Sequence, residues 1–194
     1  MSARHEITLG EIMPVAEYAK VRMARRKELA ARKKNRRVDV GPHVTFYFEN
    51  YDTMWSQVHE MLYIERGGEE QAKDEIAAYN PLIPKGRELV ATFMIEIDDP
   101  ERRKRVLMNL GGIEETAFLM VNGEKIPCQP EEDQDRTSAE GKASSVQFVH
   151  FPLTDAQAAA VKKEGTQVIV GLGHENYNHM AAVSYTHLRA HETR

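Results

Sequence analysis

Ala117-Phe118-Leu119-Met120-Val121-Asn122-Gly123-Glu124-Lys125-Ile126-Pro127-Cys128 places two short strand-like runs on either side of an Asn-Gly dipeptide. Both central residues of a type I′ turn take positive φ, which Asn-Gly accommodates at little steric cost, so the stretch predicts a tight β-hairpin. Just upstream, residues 88–97 form the best strand pattern in the chain. Asp99-Pro100 then supplies a cap and a first-turn proline for a helix over 100–110, which Gly111-Gly112 closes. Downstream, residues 145–151 resume strand alternation, and Thr154-Asp155-Ala156-Gln157 is a capping box opening a helix that Gly165 ends before a strand at 166–172. The polar, acidic residues 129–144 lack aliphatic periodicity and read as a mobile loop.

The N-terminal half adds a second hairpin. Residues 37–40 and 44–49 flank Gly41-Pro42, with Val44, Phe46 and Phe48 on one face. Before it, Thr8-Leu9-Gly10-Glu11 fits a capping box with Ile7 and Ile12 as a staple, Pro14 is a joint, and residues 15–36 hold neither Gly nor Pro and predict one long helix. Its apolar stripe, Val15, Tyr18, Ala19 and Leu29, is thin. After the hairpin, Asp52 is the expected cap of a helix over 53–66 that places Trp55 in the core, and a further helix over 69–79 stops at Asn80-Pro81. Two hairpins with helices inserted between strand groups predict a single α+β domain with a mainly antiparallel sheet. Its expected parts are an N-terminal helical segment, 1–37, an α+β body, 38–182, and a tail, 183–194.

The chain has 194 residues, 41% hydrophobic and 29% charged, with 12 Gly and 8 Pro, which excludes collagenous and fully disordered classes and suits one domain with a real core. No apolar run approaches the ~18 residues of a spanning helix, and residues 1–5 lack a secretory core, so a cytoplasmic protein without membrane attachment is expected. A single cysteine, Cys128, excludes an internal disulfide. Charge is distributed unevenly. Between Lys20 and Arg37 ten basic residues face one acid, Glu28, giving +9; with the whole chain at −4, the remainder carries −13. Such a helix suits an acidic protein surface or phosphate, and Arg22, Arg25, Arg26, Arg32, Lys33 and Arg36 are the candidate partner- or phosphate-binding residues. Arg102, Arg103, Lys104 and Arg105 would extend the patch if the two helices lay together. No aromatic residue interrupts 22–37, so the stacking platform of single-strand binders is missing there.

Glu6-Ile7-Thr8-Leu9, the basic helix, Val40-Gly41-Pro42, Phe48-Glu49-Asn50, Glu60-Met61-Leu62, Tyr79-Asn80-Pro81-Leu82-Ile83-Pro84, Val146-Gln147-Phe148 and Phe151-Pro152-Leu153 form an ordered set. This set resembles the bacterial family called domain of unknown function 3501, from about residue 6 to 182. The resemblance implies an uncharacterised cytoplasmic protein whose gene often neighbours those of rubrerythrin-like and iron–sulfur reductase-like proteins. It assigns no residue a role. Residues 183–194, Val-Ser-Tyr-Thr-His-Leu-Arg-Ala-His-Glu-Thr-Arg, resemble translated sequencing-adapter DNA, which would replace the natural C-terminus and empty His187 and His191 of meaning.

Gly171-Leu172-Gly173-His174-Glu175-Asn176-Tyr177-Asn178-His179 gathers imidazoles, a carboxylate and a phenol after a strand. His174, Glu175 and His179 are the candidate ligands of a Zn or Fe ion in a metal-assisted enzyme, set against a plain polar loop. The two glycines lack the rest of a dinucleotide fingerprint, and no nucleotide is predicted. His59 shares a helix face with Trp55 and Leu62 and reads as a satisfied structural histidine; Asp98-Asp99 reads as capping; Cys128 has no sequence-near base to activate it. Serine-hydrolase and P-loop patterns are absent. The leading expectation is an accessory protein docking a protein partner, in its sharpest form a rubrerythrin-like or iron–sulfur partner in iron-dependent redox or peroxide defence. An RNA- or DNA-binding module and the metal-assisted enzyme are the alternatives.

Overall fold

The computed structural model describes residues 4–131 and 137–184. The Asn-Gly hairpin is present, with β4 (Ala117–Val121) and β5 (Glu124–Pro127) antiparallel and Val121 opposite Glu124. Its turn residues have φ of 50° at Asn122 and 88° at Gly123, as the dipeptide requires. The first hairpin, β1 (Arg37–Val40) and β2 (Val44–Phe48), is likewise in register, with Val40 opposite Val44.

The strands assemble into two antiparallel sheets. The first has the order β1-β2-β3-β7-β6, adding β3 (Glu88–Ile95), β6 (Gln129–Pro130) and β7 (Val146–Pro152); the second has the order β5-β4-β8-β9, adding β8 (Val168–His174) and β9 (Tyr177–Val183). Alternation along β3 explains the layering. Leu89, Ala91, Phe93 and Ile95 point to a core shared with Leu119, Val170 and Leu172 of the second sheet, whereas Val90 points to the opposite face.

That opposite face is covered by helices. A 3-10 turn (Leu9–Glu11), α1 (Val15–Lys34), α2 (Tyr51–Glu65) and α3 (Gly68–Tyr79) enclose a second cluster of Ile7, Tyr51, Met54, Val58, Leu62 and Ile83 against Val90. The molecule is thus helices on sheet on sheet. Leu107 of α4 (Pro100–Met108) and Val161 of α5 (Asp155–Val161) join the core between the sheets.

Several local expectations change. The cap of α2 is Asn50, whose Oδ1 accepts from Thr53 N at 2.9 Å while its own N donates to Thr53 Oγ1 at 2.9 Å; Asp52 is left free to pair with Arg32. Within the stretch 129–144, the described residues on either side of 132–136 make pairings that their polarity did not announce. Gln129–Pro130 pairs with β7, Thr137 bridges Ala143, and Ala143 is buried; residues 132–136 lie outside the described set. Val183, counted with the tail, closes β9 opposite Val168 and is buried, while residues 185–194, with His187 and His191, lie outside the described residues. No helix among the described residues is long and apolar enough to cross a membrane.

Candidate functional site

The basic helix leaves the second core almost at once. Only Tyr18 of α1 is buried, and its hydroxyl donates to Glu60 Oε1 at 2.9 Å. Arg22 grips the same carboxylate in a fork, Nε to Oε1 at 2.9 Å and Nη2 to Oε2 at 2.7 Å, and lies over the Tyr63 ring. That guanidinium holds the Glu60 carboxyl below its ordinary range, and burial together with Glu60 pushes the Tyr18 phenol up to about 12. One turn on, Arg25 lies over Trp55, and Arg32 bridges Glu28 and Asp52 at 2.6 and 2.7 Å. Arg36 has left the helix. It is buried, donates to the Phe48 carbonyl, and is held by burial at a pKa of about 10, so it is not a surface residue.

His59 fastens the foot of the helix. Its Nε2 accepts from Met13 N at 3.0 Å, so its Nδ1 is the protonated nitrogen and donates to the Trp55 carbonyl at 2.7 Å. Burial lowers its pKa and keeps the ring neutral, which is the satisfied histidine expected from sequence. Trp55 stacks on that ring with centroids 3.7 Å apart; it is half-buried and not central, and its Nε1 donates to Glu11 O.

Four of the six candidate cations are therefore engaged within the chain. The outward face of α1 carries exposed Ala16, Ala19, Lys20, Met23, Arg26, Lys27, Ala30 and Lys34 with half-buried Lys33 at its edge. Lys20 pairs with Glu17, whereas Arg26, Lys27, Lys33 and Lys34 make no ion pair among the described residues. Arg102 to Arg105 do not extend this face. Arg102 reaches His43 at the β1–β2 turn, Arg103 bonds the Ile97 carbonyl, and α1 enters β1 at its far end, Arg37.

The histidine-rich stretch is no loop. Gly173 and His174 continue β8, Glu175-Asn176 is a two-residue turn, and Tyr177–Val183 returns as β9 with His174 opposite Tyr177 and Leu172 opposite His179. His174 Nδ1 accepts from Asn176 N, and Nε2 reaches the Gly111 carbonyl at 3.2 Å. His179 sits edge-on to Tyr177, over Gly41, and Glu175 is exposed in the turn. Among the described residues no three His, Cys, Asp or Glu side chains converge as a metal ligand set. Tyr177 instead has a structural task. Its hydroxyl accepts from His43 N and Val44 N and donates to the Val40 carbonyl at 2.8 Å, tying the first hairpin to the second sheet.

One cluster escaped sequence reasoning. His150 on β7 places Nδ1 2.8 Å from Glu88 Oε2 and Nε2 2.8 Å from Glu131 Oε2, all three side chains being largely buried. Glu88 and Glu131 raise the pKa of this imidazole. The partners lie 62 and 19 residues away in sequence, so no local spacing announced them. Cys128 is buried, its Sγ donates to the Glu114 carbonyl, and burial pushes its thiol up to about 11, which leaves little thiolate for nucleophilic work.

The comparisons agree with this architecture. A solved protein of unknown function from Burkholderia pseudomallei is 34% identical, with a TM-score of 0.86 over 94% of this chain and 95% of that one. No curated protein matches. The family described as protein of unknown function DUF3501 matches residues 6–192, nearly the whole chain, and the protein belongs to that family.

Proposed function

We propose that this is an accessory protein that docks an acidic protein partner through the outward face of α1. The observation that supports it is the division of labour on that helix. Its inner cations are spent on Glu60, Trp55, Glu28 and Asp52, fixing the helix in place. Its outer face presents Arg26, Lys27, Lys33 and Lys34 beside alanines and Met23, which is 72% exposed. Small residues let a partner approach closely, a solvent-exposed methionine adapts to varied apolar surfaces, and the unpaired cations select acidic ones. A nucleic-acid track is the weaker reading, because Arg22, Arg25, Arg32 and Arg36, four of the six candidate cations, are engaged within the chain. In its finer form, suggested by the family resemblance, the partner is a cytoplasmic rubrerythrin-like or iron–sulfur protein.

The test is capture from nuclease-treated bacterial extract, run in parallel with the wild-type chain and an Arg26→Glu/Lys33→Glu/Lys34→Glu variant. An acidic protein held by the first and lost by the second, with thermal stability unchanged, is the expected result. Retention of no acidic protein, or of the same protein by both chains, would overturn the reading.

A further inference from the structure

Strand β6 is held to its sheet by very little. It has two residues, one of them a proline with no N–H to donate, and at the edge of the first sheet it sets Gln129 opposite His150 and Pro130 opposite Val149. One further backbone bond follows, from Glu131 N to the Phe148 carbonyl at 3.1 Å. With so short a ladder, the Glu131 side chain becomes a main fastening. It reaches back across the edge to His150 Nε2 at 2.8 Å and is only 21% exposed.

The other carboxylate on this ring is fixed without help from the imidazole. Glu88 lies on β3, in the middle of the sheet, and while its Oε2 meets His150 Nδ1 at 2.8 Å its Oε1 accepts from Lys85 N at 2.9 Å. Lys85 thus stands behind Glu88, Arg87 is paired with Asp155 at 3.0 Å, and Val90 and Gln129, which lie opposite His150 on β3 and β6, carry no charge. Glu88 and Glu131 are the two charges on the ring nitrogens. They respond differently when the ring loses its proton, because a neutral imidazole offers one N–H and one lone pair. Glu88, held by its strand and by Lys85, keeps the N–H at Nδ1. The lone pair left on Nε2 then faces the Glu131 carboxylate, acceptor against acceptor in a largely buried place, and the two-residue strand is the part that can move.

Cys128 immediately precedes that strand. Its side chain is packed in the core between the sheets, its Sγ donates to the Glu114 carbonyl at 3.0 Å, and its N donates to the Ala117 carbonyl at 3.0 Å. The peptide that follows the thiol therefore belongs to β6, and the one before it to β5.

We propose that His150 and Glu131 form a proton-operated latch: the imidazolium holds β6 on β7 and keeps Cys128 covered, and loss of its proton frees β6 and opens the thiol to small electrophiles. The two carboxylates raise the imidazole above 6.5, so the closed form is favoured below that range and is lost as pH climbs through the raised value.

Cys128 is the only cysteine, so alkylation by iodoacetamide, in which the thiolate sulfur displaces iodide, reads the latch directly. Rates for the folded chain are divided by those of the chain unfolded in guanidinium at the same pH, which removes the titration of the thiol itself. Between about pH 6 and about pH 9 the wild-type ratio is expected to rise about tenfold or more, the effect of losing one charged hydrogen bond. Glu131→Gln is expected to hold the ratio level, because an amide accepts from the imidazolium and donates to the neutral ring. Glu131→Ala has nothing to latch, and at the lowest pH it should react at least as fast as the wild-type chain at the highest. A level wild-type ratio, an equal rise in Glu131→Gln, or a Glu131→Ala ratio no higher than wild type at low pH would overturn the proposal. So would a rise that grows steeply with small additions of urea, since that marks global unfolding and not the lifting of one strand.

Discussion

An imidazole between two carboxylates has only one protonation state that satisfies both neighbours. With Glu88 at Nδ1 and Glu131 at Nε2, each 2.8 Å away, His150 must donate from both nitrogens, and only the imidazolium can. The carboxylates accordingly raise its pKa above 6.5. A group raised by folding stabilises fully below its unfolded value, and that contribution disappears as pH climbs through the folded one. Glu88 works in the opposite sense. Burial favours its neutral form, but His150 and the Lys85 backbone N–H outweigh this and hold it below 4.5, so its contribution is present above that value and lost as pH falls. Stability from this cluster is therefore greatest between the two values and declines on the alkaline side as His150 loses its proton. His150→Gln should cost about 1–3 kcal/mol in the intermediate range and remove that alkaline decline. Denaturant midpoints across pH read this directly; a variant with the same alkaline decline as wild type would contradict it. Gly41 makes a second prediction at this scale. It sits at φ +73°, and a Cβ there would come 2.6 Å from the His179 ring and 2.8 Å from the Tyr177 hydroxyl. Gly41→Ala should thus lose at least about 1 kcal/mol in thermal unfolding, well beyond an ordinary surface change.

Elements with strong local signals were legible from sequence, and those defined by distant partners were not. Asn122-Gly123, Asp99 and Thr154 did what their local chemistry requires: Asp99 accepts from Arg102 N at 2.6 Å, and Thr154 accepts from Gln157 N at 3.2 Å. Strand β9 was missed because it is an edge strand. Only Tyr177 and Val183 are buried in it, Met180 is 56% exposed, and its polar residues imitate a loop. The candidate site divides in the same way. Charge count found α1, yet only tertiary partners decided which cations remain outward, and Arg36 lost its surface role when the helix ended at Lys34. The α2 cap offers a test that separates neighbours. Asn50→Ala should cost about 1 kcal/mol by unfolding the Asn50–Thr53 exchange, whereas Asp52→Ala, which breaks an exposed pair with Arg32, should stay within about 0.5 kcal/mol. Equal losses would return the cap to Asp52. Glu60 makes a prediction for α1 itself. Its carboxylate receives both Tyr18 and Arg22, so Glu60→Ala should raise hydrogen exchange along Val15–Lys34 while the β3–β7 amides keep their protection. Unchanged exchange in α1 would mean that burial of Tyr18 alone anchors it.

The whole molecule depends on one sheet that serves two cores. β3 alternates between them: Phe93, fully buried, faces the second sheet, and Val90, equally buried, faces the helices. Because a strand cannot lose its packing on one face and keep its place on the other, damage between the sheets should be felt in the helical layer. The single tryptophan makes this measurable, since Trp55 lies among the helices, stacked on His59 and packed against the second cluster. Its fluorescence reports that layer, whereas far-ultraviolet dichroism reports strands and helices together. Phe93→Ala opens a cavity in the other core and should cost about 3–5 kcal/mol. If β3 couples the layers, denaturant midpoints followed by Trp55 fluorescence and by dichroism will fall together and remain coincident, as in one cooperative transition. If the layers are separable, the dichroism midpoint will fall while the fluorescence midpoint stays where it is in the wild-type chain. The shared strand, with Glu49 N bonded to the Val90 carbonyl and Thr92 Oγ1 to the Glu49 carboxylate, leads to the coincident outcome, because those bonds tie the start of α2 to β3 itself.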